Sequence, residues 1–131
     1  MLRVFVGKAL KDTLTGKEQT QLVADFKRYK GTGDLPDTFG RDVPYDHPHT
    51  LPAVQAEELM HLHLAEDTPW PLNMVQFSRT SDKHLVYCQG YTDKDCYALL
   101  AILEPDAHRQ AWDRDVMLRL AKSASSFRDA H

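Results

Sequence analysis

Residues 84–103 read HLVYCQGYTDKDCYALLAIL, and this stretch decides the fold. Residues 84–90 are rich in β-branched and aromatic side chains and end at a glycine, which is typical of a strand. A TDKD turn leads into residues 96–103, where nearly every side chain is apolar. Such a run is typical of a central strand that is buried on both faces. Because a short turn joins the two runs, the stretch predicts an antiparallel hairpin at the centre of a sheet.

Three runs ahead of this hairpin predict further strands. Residues 2–6 (LRVFV) combine β-branched and aromatic side chains. Residues 58–65 (ELMHLHLA) alternate in polarity, which places His61 and His63 on the same face. Residues 75–79 (VQFSR) precede the hairpin and are separated from it by a short TSDK turn.

Two stretches have the apolar spacing of amphipathic helices. Thr15 and Glu18 form a capping box at the start of the first, which predicts a helix over residues 16–30. In the second, apolar residues recur at helical spacing and predict another long helix over residues 107–129; they are Trp112, Val116, Leu120, Ala124 and Phe127. Between the first helix and the later strands, residues 33–56 contain four prolines, and we expect a long irregular loop there.

These elements predict one α+β domain over residues 1–131, with a small twisted antiparallel sheet and helices packed on one face. No apolar run reaches the 18 residues that a membrane span needs, and the N-terminal run is too short for a secretory signal. Cys88 and Cys96 fit neither a disulfide framework nor a zinc knuckle. We expect both to be reduced strand residues of a cytoplasmic protein.

The charge of the chain gives a mixed indication about nucleic acids. The formal net charge is -3, whereas nucleic-acid binders usually carry a basic excess. The distribution is uneven, because residues 108–128 contain five Lys or Arg, Arg109 among them, against two Asp. A local basic face of this kind can bind phosphate even in an acidic chain.

Histidines and basic residues at predicted strand ends are the candidates for chemistry. The sequence has no GxGxxG, Walker, GxSxG or HExxH motif. Arg79, Lys83 and His84 surround the turn ahead of the hairpin, and His108 follows the last strand. Taken singly, each fits an exposed polar turn or a surface histidine better than a catalytic role.

His61 and His63 leave three interpretations open. They fit a solvent-facing polar pair, a metal site, or a role in binding or cleaving a phosphodiester. A metal site of this kind calls for a third protein ligand, and the neighbouring sequence offers no obvious one. We therefore expect no metal and no cofactor.

Several long runs of the chain carry a family resemblance when they are taken together and in order. They are VADFKRYKGTGDLPDTFGRDVPYD (23–46), HLHLAED (61–67), FSRTSDKHLVYCQG (77–90), CYALLAILEPDAH (96–108) and the terminal SFRDAH. Together with the RVF start, they resemble the YafO family of ribosome-dependent mRNA interferase toxins. The resemblance extends along nearly the whole chain.

A more distant resemblance concerns the last three predicted strands. An arginine-containing strand, an HLVY strand and an apolar strand followed by histidine resemble the corresponding strands of RelE-type toxins. Arg79, His84 to Tyr87, and His108 fall on those places. The resemblance implies a RelE/ParE-like toxin fold, with helices on one face of the sheet and the catalytic cleft on the other.

The family resemblance implies the toxin of a type II toxin–antitoxin system. Such a toxin would cleave translated mRNA on the ribosome in the cytoplasm, would be neutralised by a cognate antitoxin, and would have no membrane partner. Cleavage by 2′-OH attack needs a base, an acid and stabilisation of phosphoryl charge. Histidine suits the proton transfers and arginine suits the phosphate. We therefore predict that Arg79 binds the phosphate and that His84 and His108 transfer protons without a metal.

Five further residues are predicted to contact RNA. They are His61, Lys83, Tyr87, Arg109 and Arg41. For Arg41, flanked by Asp37 and Asp42, a structural salt bridge remains the alternative. For Tyr87 the alternative is a place in the core.

A different class of function also stays open. A non-catalytic toxin on the same fold could bind and block the ribosome or a topoisomerase. Convergence of Arg79, His84 and His108 on one surface would favour the nuclease, and their scattering would favour the blocking toxin. A metal-dependent hydrolase would need a third ligand beside His61 and His63.

Overall fold

Five strands form one mixed sheet in the computed structural model, which describes all 131 residues. The strands are β1 (Arg3–Val6), β2 (Phe39–Pro44), β3 (Met60–Leu64), β4 (His84–Gln89) and β5 (Cys96–Leu103). Their order across the sheet is β1-β5-β4-β3-β2. The predicted hairpin of β4 and β5 therefore lies at the centre, as its apolar sequence indicates.

Five α-helices and one short 3-10 turn complete the chain. The helices are α1 (Lys8–Thr13), α2 (Gly16–Thr32), α3 (Pro52–Ala56), α4 (Ala107–Gln110) and α5 (Arg114–Ala130), and the 3-10 turn is Gln76–Ser78. The predicted capping box at the start of α2 is present, with both of its hydrogen bonds formed. No helix combines the length and the apolar content that crossing a membrane requires.

The direction of β1 differs from the expected antiparallel sheet. The strands β2, β3, β4 and β5 pair antiparallel, whereas β1 pairs parallel with β5, from Arg3 opposite Cys96 to Val6 opposite Leu99. No tight turn connects β1 to β5, so hairpin geometry does not set its direction. The α+β class is confirmed, and the sheet is mixed rather than wholly antiparallel.

Helices cover both faces of the sheet, not one face as the sequence suggested. Alternation along β4 sends Leu85 and Tyr87 toward α1 and α2, and sends Val86 and Cys88 toward α3 and α5. Each face consequently has its own apolar core. A strand that is apolar at consecutive positions has apolar side chains on both faces of the sheet. Each face must then be covered by helices to exclude water. Cys88 and Cys96 are free and buried on β4 and β5, as expected.

The proline-rich stretch over residues 33–56 is more ordered than expected. It contains β2 and α3. Pro44 ends β2 at the edge of the sheet, where the missing N–H costs no ladder bond, and Pro52 occupies the first turn of α3. These prolines mark the ends of elements, which composition alone does not distinguish from a loop.

The predicted strand over residues 75–79 is wrong. Residues Gln76–Ser78 form a 3-10 turn instead, and the Arg79 guanidinium donates to the carbonyls of Met74, Pro71 and Leu72 in the segment before that turn. Gly40 passes close to this segment, and a β-carbon on it would collide with the Arg79 carbonyl oxygen.

The predicted helix over residues 107–129 is divided in two. Asp113 accepts hydrogen bonds from the backbone N–H groups of Asp115 and Val116, which caps a new helix at that point. Trp112 lies at the break and is 58% exposed, although the helical spacing suggested a core position. The break positions α4 next to the strand ends that hold the histidines.

Candidate active site

Four histidines converge beyond the end of the core that α3 and α5 share with the sheet. His61 and His63 come from β3, and His84 lies directly opposite His63 on β4. His108 comes from α4, its ring centroid 4.7 Å from that of His84 and 5.9 Å from that of His63. The rings of His61 and His84 are 5.2 Å apart, and those of His63 and His84 are 4.1 Å apart. We call these four side chains the histidine cluster.

Burial keeps the inner members of the histidine cluster uncharged. Burial lowers the pKa of His61 to about 4 and that of His63 to about 3, and neighbouring histidines add to the effect. Burial likewise lowers the pKa of His84. A protein interior disfavours the charged form of imidazole, and close imidazoles disfavour a second charge. At neutral pH these three rings are therefore uncharged, and each has one N–H and one nitrogen that can accept a proton.

Ser81 sets the orientation of two of the rings. Its backbone N–H donates to Nδ1 of His63 at 2.9 Å. Its carbonyl lies 2.9 Å from Nε2 of His84, and since a carbonyl only accepts, Nε2 of His84 carries the hydrogen. The ring nitrogens Nδ1 of His61 and Nδ1 of His84 are buried without a partner. The histidine cluster thus retains unsatisfied acceptors where most buried polar groups are paired.

The third ligand that a metal site would need is supplied by His84. Candidate ligand atoms of His61, His63 and His84 lie within 4.8 Å of one another. His61 and His84 each have an unpartnered nitrogen, whereas Nδ1 of His63 already accepts from Ser81. Its other nitrogen then carries a hydrogen in the neutral ring. Binding by all three would displace the bond to Ser81, so the donor set does not fit a three-histidine metal site without rearrangement.

His108 is the exposed member of the histidine cluster and has a carboxylate partner. Its Nδ1 lies 2.9 Å from Oδ1 of Asp82, and the side chain is 67% exposed. A carboxylate accepts, so Nδ1 donates and Nε2 points away from Asp82. Hydrogen bonds from the backbone and ring of His108 hold the pKa of Asp82 below its usual range. The Asp82 carboxylate therefore stays ionised and holds the Nδ1–H of His108.

The turn that carries Ser81 and Asp82 is held by its own hydrogen bonds. The Ser81 hydroxyl donates to the carbonyl of Lys83, and the backbone N–H of Asp82 donates to Glu66. The Asp82 carbonyl also accepts from the backbone N–H of Ala107 at the start of α4. One turn thus joins β3, β4 and α4, which fixes the histidines relative to one another.

Two depressions share the histidine cluster as a wall. The first, which we call the Arg41 groove, is lined by Arg41, Val43, His61, His63, Thr80, Ser81 and His108. The second, which we call the aromatic pocket, has a volume of about 290 Å³ and lies between β2, α3 and the start of α5. His61 and His108 border both depressions.

Arg41 supplies the cation of the Arg41 groove. Its Nε donates to the Phe77 carbonyl at 2.7 Å, and its guanidinium stacks over the Phe77 ring at 3.9 Å from the centroid. It forms no salt bridge with Asp37 or Asp42, which was the structural alternative. The guanidinium is held in place while its terminal N–H groups stay free for an anion.

Arg79 does not reach this surface. Its side chain is 2% exposed, and its guanidinium donates to backbone carbonyls of five residues. They are Met74, Pro36, Phe39, Pro71 and Leu72. Because its donors are occupied and water is excluded, Arg79 holds two backbone segments together and has no free donor for a phosphate.

Three other predicted RNA contacts also lie outside the two depressions. Tyr87 is buried on the opposite face of the sheet, where its hydroxyl donates to Asp42 at 2.6 Å. The Lys83 ammonium lies 3.9 Å from a carboxylate oxygen of Glu104. Arg109 is exposed beside His108 without lining either depression. The histidines predicted from sequence thus converge. The arginine that lines the groove beside them is Arg41, not Arg79 as expected.

Sequence reasoning missed three residues of this site. Asp82 was predicted only as a residue of the TSDK turn. Its carboxylate in fact reaches His108 in α4, the helix that follows β5. Trp112 was assigned to a helical core, and Tyr45 to a loop. Tyr45 stacks on His61 with ring centroids 4.2 Å apart. Only the fold brings these three beside the histidines, and no spacing in the sequence indicates it.

Comparison with known proteins gives a consistent family. The family model described as toxin YafO of type II toxin–antitoxin systems matches residues 27–129. The mRNA interferase toxin YafO of Escherichia coli (strain K12) is 46% identical over 129 residues, covering 97% of this chain and 98% of that protein. No solved structure matches the chain.

Proposed function

We propose that this chain, which belongs to the YafO toxin family of type II toxin–antitoxin systems, cuts messenger RNA on the ribosome. The extent of the family match and the 46% identity establish the membership. The observation that carries the mechanism is that His61, His108 and Arg41 line one groove. Two groups able to move protons and one fixed cation are the services that RNA cleavage by 2′-OH attack requires.

The surroundings of the two histidines indicate which is the base. His61 is held neutral at pH 7 by burial and by His84, so it is free to accept a proton. His108 is exposed, and its bond from Nδ1 to the Asp82 carboxylate leaves Nε2 free to face the substrate, so this ring is assigned as the proton donor. The proposed roles are therefore His61 as general base and His108 as general acid, with Asp82 and His84 as positioning residues.

The reaction then follows in one balanced displacement. The 2′-OH gives its proton to His61 as its oxygen forms a bond to phosphorus. The bond from phosphorus to the 5′ oxygen breaks, and that oxygen takes the proton of His108. The products are a 2′,3′-cyclic phosphate and a 5′-OH end. Arg41 neutralises the charge that develops on the non-bridging oxygens.

The ribosome would supply what this small site lacks. The chain has a net charge of -3, so long-range attraction to RNA phosphates is weak. Holding the message in an in-line geometry can contribute several kcal/mol. We accordingly propose ribosome-bound mRNA as substrate, the cytoplasm as place of action and an antitoxin as the neutralising partner.

Primer extension on a translated message tests this function. Each of His61→Ala and His108→Ala should lower the cleavage rate by about 100-fold or more. His131→Gln is the matched control, because His131 stacks on Phe5 and Phe127, away from the groove. Cleavage at the parental rate by both alanine variants would contradict the mechanism. A parental protein that stalls ribosomes without cutting would instead identify a blocking toxin.

A further inference from the structure

The aromatic pocket has no role in the proton transfers described above. It opens beside the histidine cluster, and its residues include Tyr45, Asp46, His47, Leu51, Trp112 and Met117. Its volume of about 290 Å³ is close to the lower end for small-ligand sites, about 300 Å³. The pocket is therefore large enough for one small planar group and too small for a folded segment.

Flat rings form two of its walls. The Tyr45 ring lies nearly parallel to that of His61, with an interplanar angle of 17°. Trp112 is 58% exposed and meets the His47 ring edge-on, with centroids 4.9 Å apart. An indole so exposed gains little for stability, and a planar ligand can stack on it.

Charge and hydrogen bonding distinguish a base from a phosphate as the occupant. Asp46 and Asp113 line the pocket against Arg114 and the proposed acid His108, so phosphate gains no net attraction there. The Asp46 carboxylate forms no salt bridge, and the Tyr45 hydroxyl is buried without a partner. Burial raises the pKa of Tyr45, so its hydroxyl keeps its hydrogen. The Asp46 carboxylate can accept from the N–H groups on the edge of a nucleobase, and the flat rings can stack on its faces.

We propose that the aromatic pocket takes one unstacked nucleobase of the message, from a nucleotide flanking the phosphate that is cut. The inference rests on the proposed function, because His61 and His108 separate the pocket from the Arg41 groove and border both. A base seated in the pocket places its own ribose phosphate at these two rings. The pocket thereby positions the backbone and selects among bases, while the Arg41 groove holds the charge.

The test combines a pocket variant with an altered message. Parental protein and Trp112→Ala are compared on a translated message in which either nucleotide flanking the cut carries an abasic ribose with its 2′-OH intact. Trp112→Ala should lower cleavage by about tenfold or more. One of the two abasic positions should lower parental cleavage similarly, and the same abasic position should have little further effect on Trp112→Ala. Effects that multiply in the combination would overturn the proposal.

A measurement without ribosomes separates this proposal from the proposed function. Each of the four ribonucleoside 5′-monophosphates is titrated while indole fluorescence is followed. At least one should quench the parental protein saturably and should fail to quench Trp112→Ala. Tyr91→Ala is the matched control, since Tyr91 is 68% exposed and lines neither depression. This control should cleave and quench like the parent.

The possible results are decisive for each idea. Quenching without cleavage of the normal message would reject the nuclease and retain the base pocket. Cleavage with no quenching by any nucleotide and no abasic effect would overturn the base pocket and leave the nuclease standing. If Trp112→Ala then weakens only the binding of antitoxin, the pocket accepts a protein side chain instead.

Discussion

Two clusters of polar side chains lie on opposite faces of the same sheet, and they differ in how well they are satisfied. On the α2 face, Asp42 accepts from the hydroxyls of Tyr29 and Tyr87 at 2.7 and 2.6 Å and from Lys30 at 3.1 Å. Gln76 also belongs to this group, which we call the Asp42 cluster, because its side-chain amide donates to the Tyr29 hydroxyl. On the other face, the histidine cluster retains two buried ring nitrogens without a partner.

The polar residues of this small domain thus serve two purposes: the Asp42 cluster stabilises the fold, and the histidine cluster belongs to the candidate site. A satisfied buried network stabilises a unique arrangement, because removing any member leaves the others unpaired. An incompletely satisfied one is costly in the free protein, and such a cost is typical of a functional site rather than of a stabilising core. Alternation along β2 produces both outcomes, since Asp42 faces one cluster while Arg41 and Val43 face the groove.

Removing the centre of the Asp42 cluster should cost the most stability. Asp42→Ala leaves the buried Tyr87 phenol, the half-buried Tyr29 phenol and Lys30 without their acceptor, and we expect a loss of about 3 kcal/mol in the free energy of unfolding. Urea denaturation measures it. The histidine cluster provides the comparison, because His108→Ala should change stability by less than about 0.5 kcal/mol. Similar losses for both variants would abolish the distinction between the clusters.

Acid should destabilise the protein through the histidine cluster. The pKa of His61 falls from its usual 6.5 to about 4 in the folded protein, and that of His63 to about 3. Between these values and pH 6.5 the unfolded chain binds more protons, so stability is complete above pH 6.5 and is lost as pH falls through this window. Each histidine contributes a slope of at most about 1.4 kcal/mol per pH unit.

The matched variant for this acid effect is His63→Asn. The asparagine side-chain oxygen can still accept from the N–H of Ser81, and it does not titrate. Denaturation at a series of pH values should show a shallower decline for His63→Asn than for the parent between pH 6.5 and 4. Parallel curves would mean that His63 is not buried in its neutral form.

Arg41 and Arg79 are the same residue type in opposite environments. Arg41→Ala should lower cleavage about tenfold while leaving stability within about 0.5 kcal/mol, because its guanidinium faces the groove. Arg109→Ala, which removes an exposed arginine outside the groove, should cut at the parental rate. Primer extension and urea denaturation of the same preparations measure both quantities.

Arg79→Ala completes this comparison in the opposite direction. It leaves carbonyls from two separate segments without donors, so its urea midpoint should fall well below that of Arg41→Ala. Its folded fraction should retain cleavage. A stable Arg79→Ala protein that cannot cleave would return the phosphate to Arg79.

Lys83→Ala should have the smallest effect. The Lys83 ammonium lies 3.9 Å from Glu104 in a partly exposed pair, and such pairs contribute about 0–1 kcal/mol. We expect a stability change below about 0.5 kcal/mol and cleavage within twofold of the parent. A tenfold loss of cleavage would place Lys83 in the substrate path after all.

Local patterns in the sequence predicted the elements that depend on local physics. The capping box of Thr15 and Glu18 begins α2, and the apolar run over residues 96–103 coincides with β5. The β4 hairpin was predicted for the same reason, since turn residues and alternation act over a few positions. The long family-like runs led to the YafO family, which the comparisons confirm. The sequence predicted part of the candidate site, because histidines at strand ends are unusual enough to be identified individually. Several of the residues that surround them were not predicted.

The tertiary structure alone decided which residue of a type does what. Nothing near Arg79 in the sequence shows that the carbonyls of Pro36 and Phe39 surround it, and nothing near Arg41 shows that the Phe77 ring supports it. Alternation tells which side chains share a face of a strand, but the helices that cover each face come from distant parts of the chain. Burial, and with it charge state and access to a substrate, is a sum over those distant contacts. Local sequence therefore determined β1, β3, the β4 and β5 hairpin, α2 and the family, and long-range packing determined where the cleft opens.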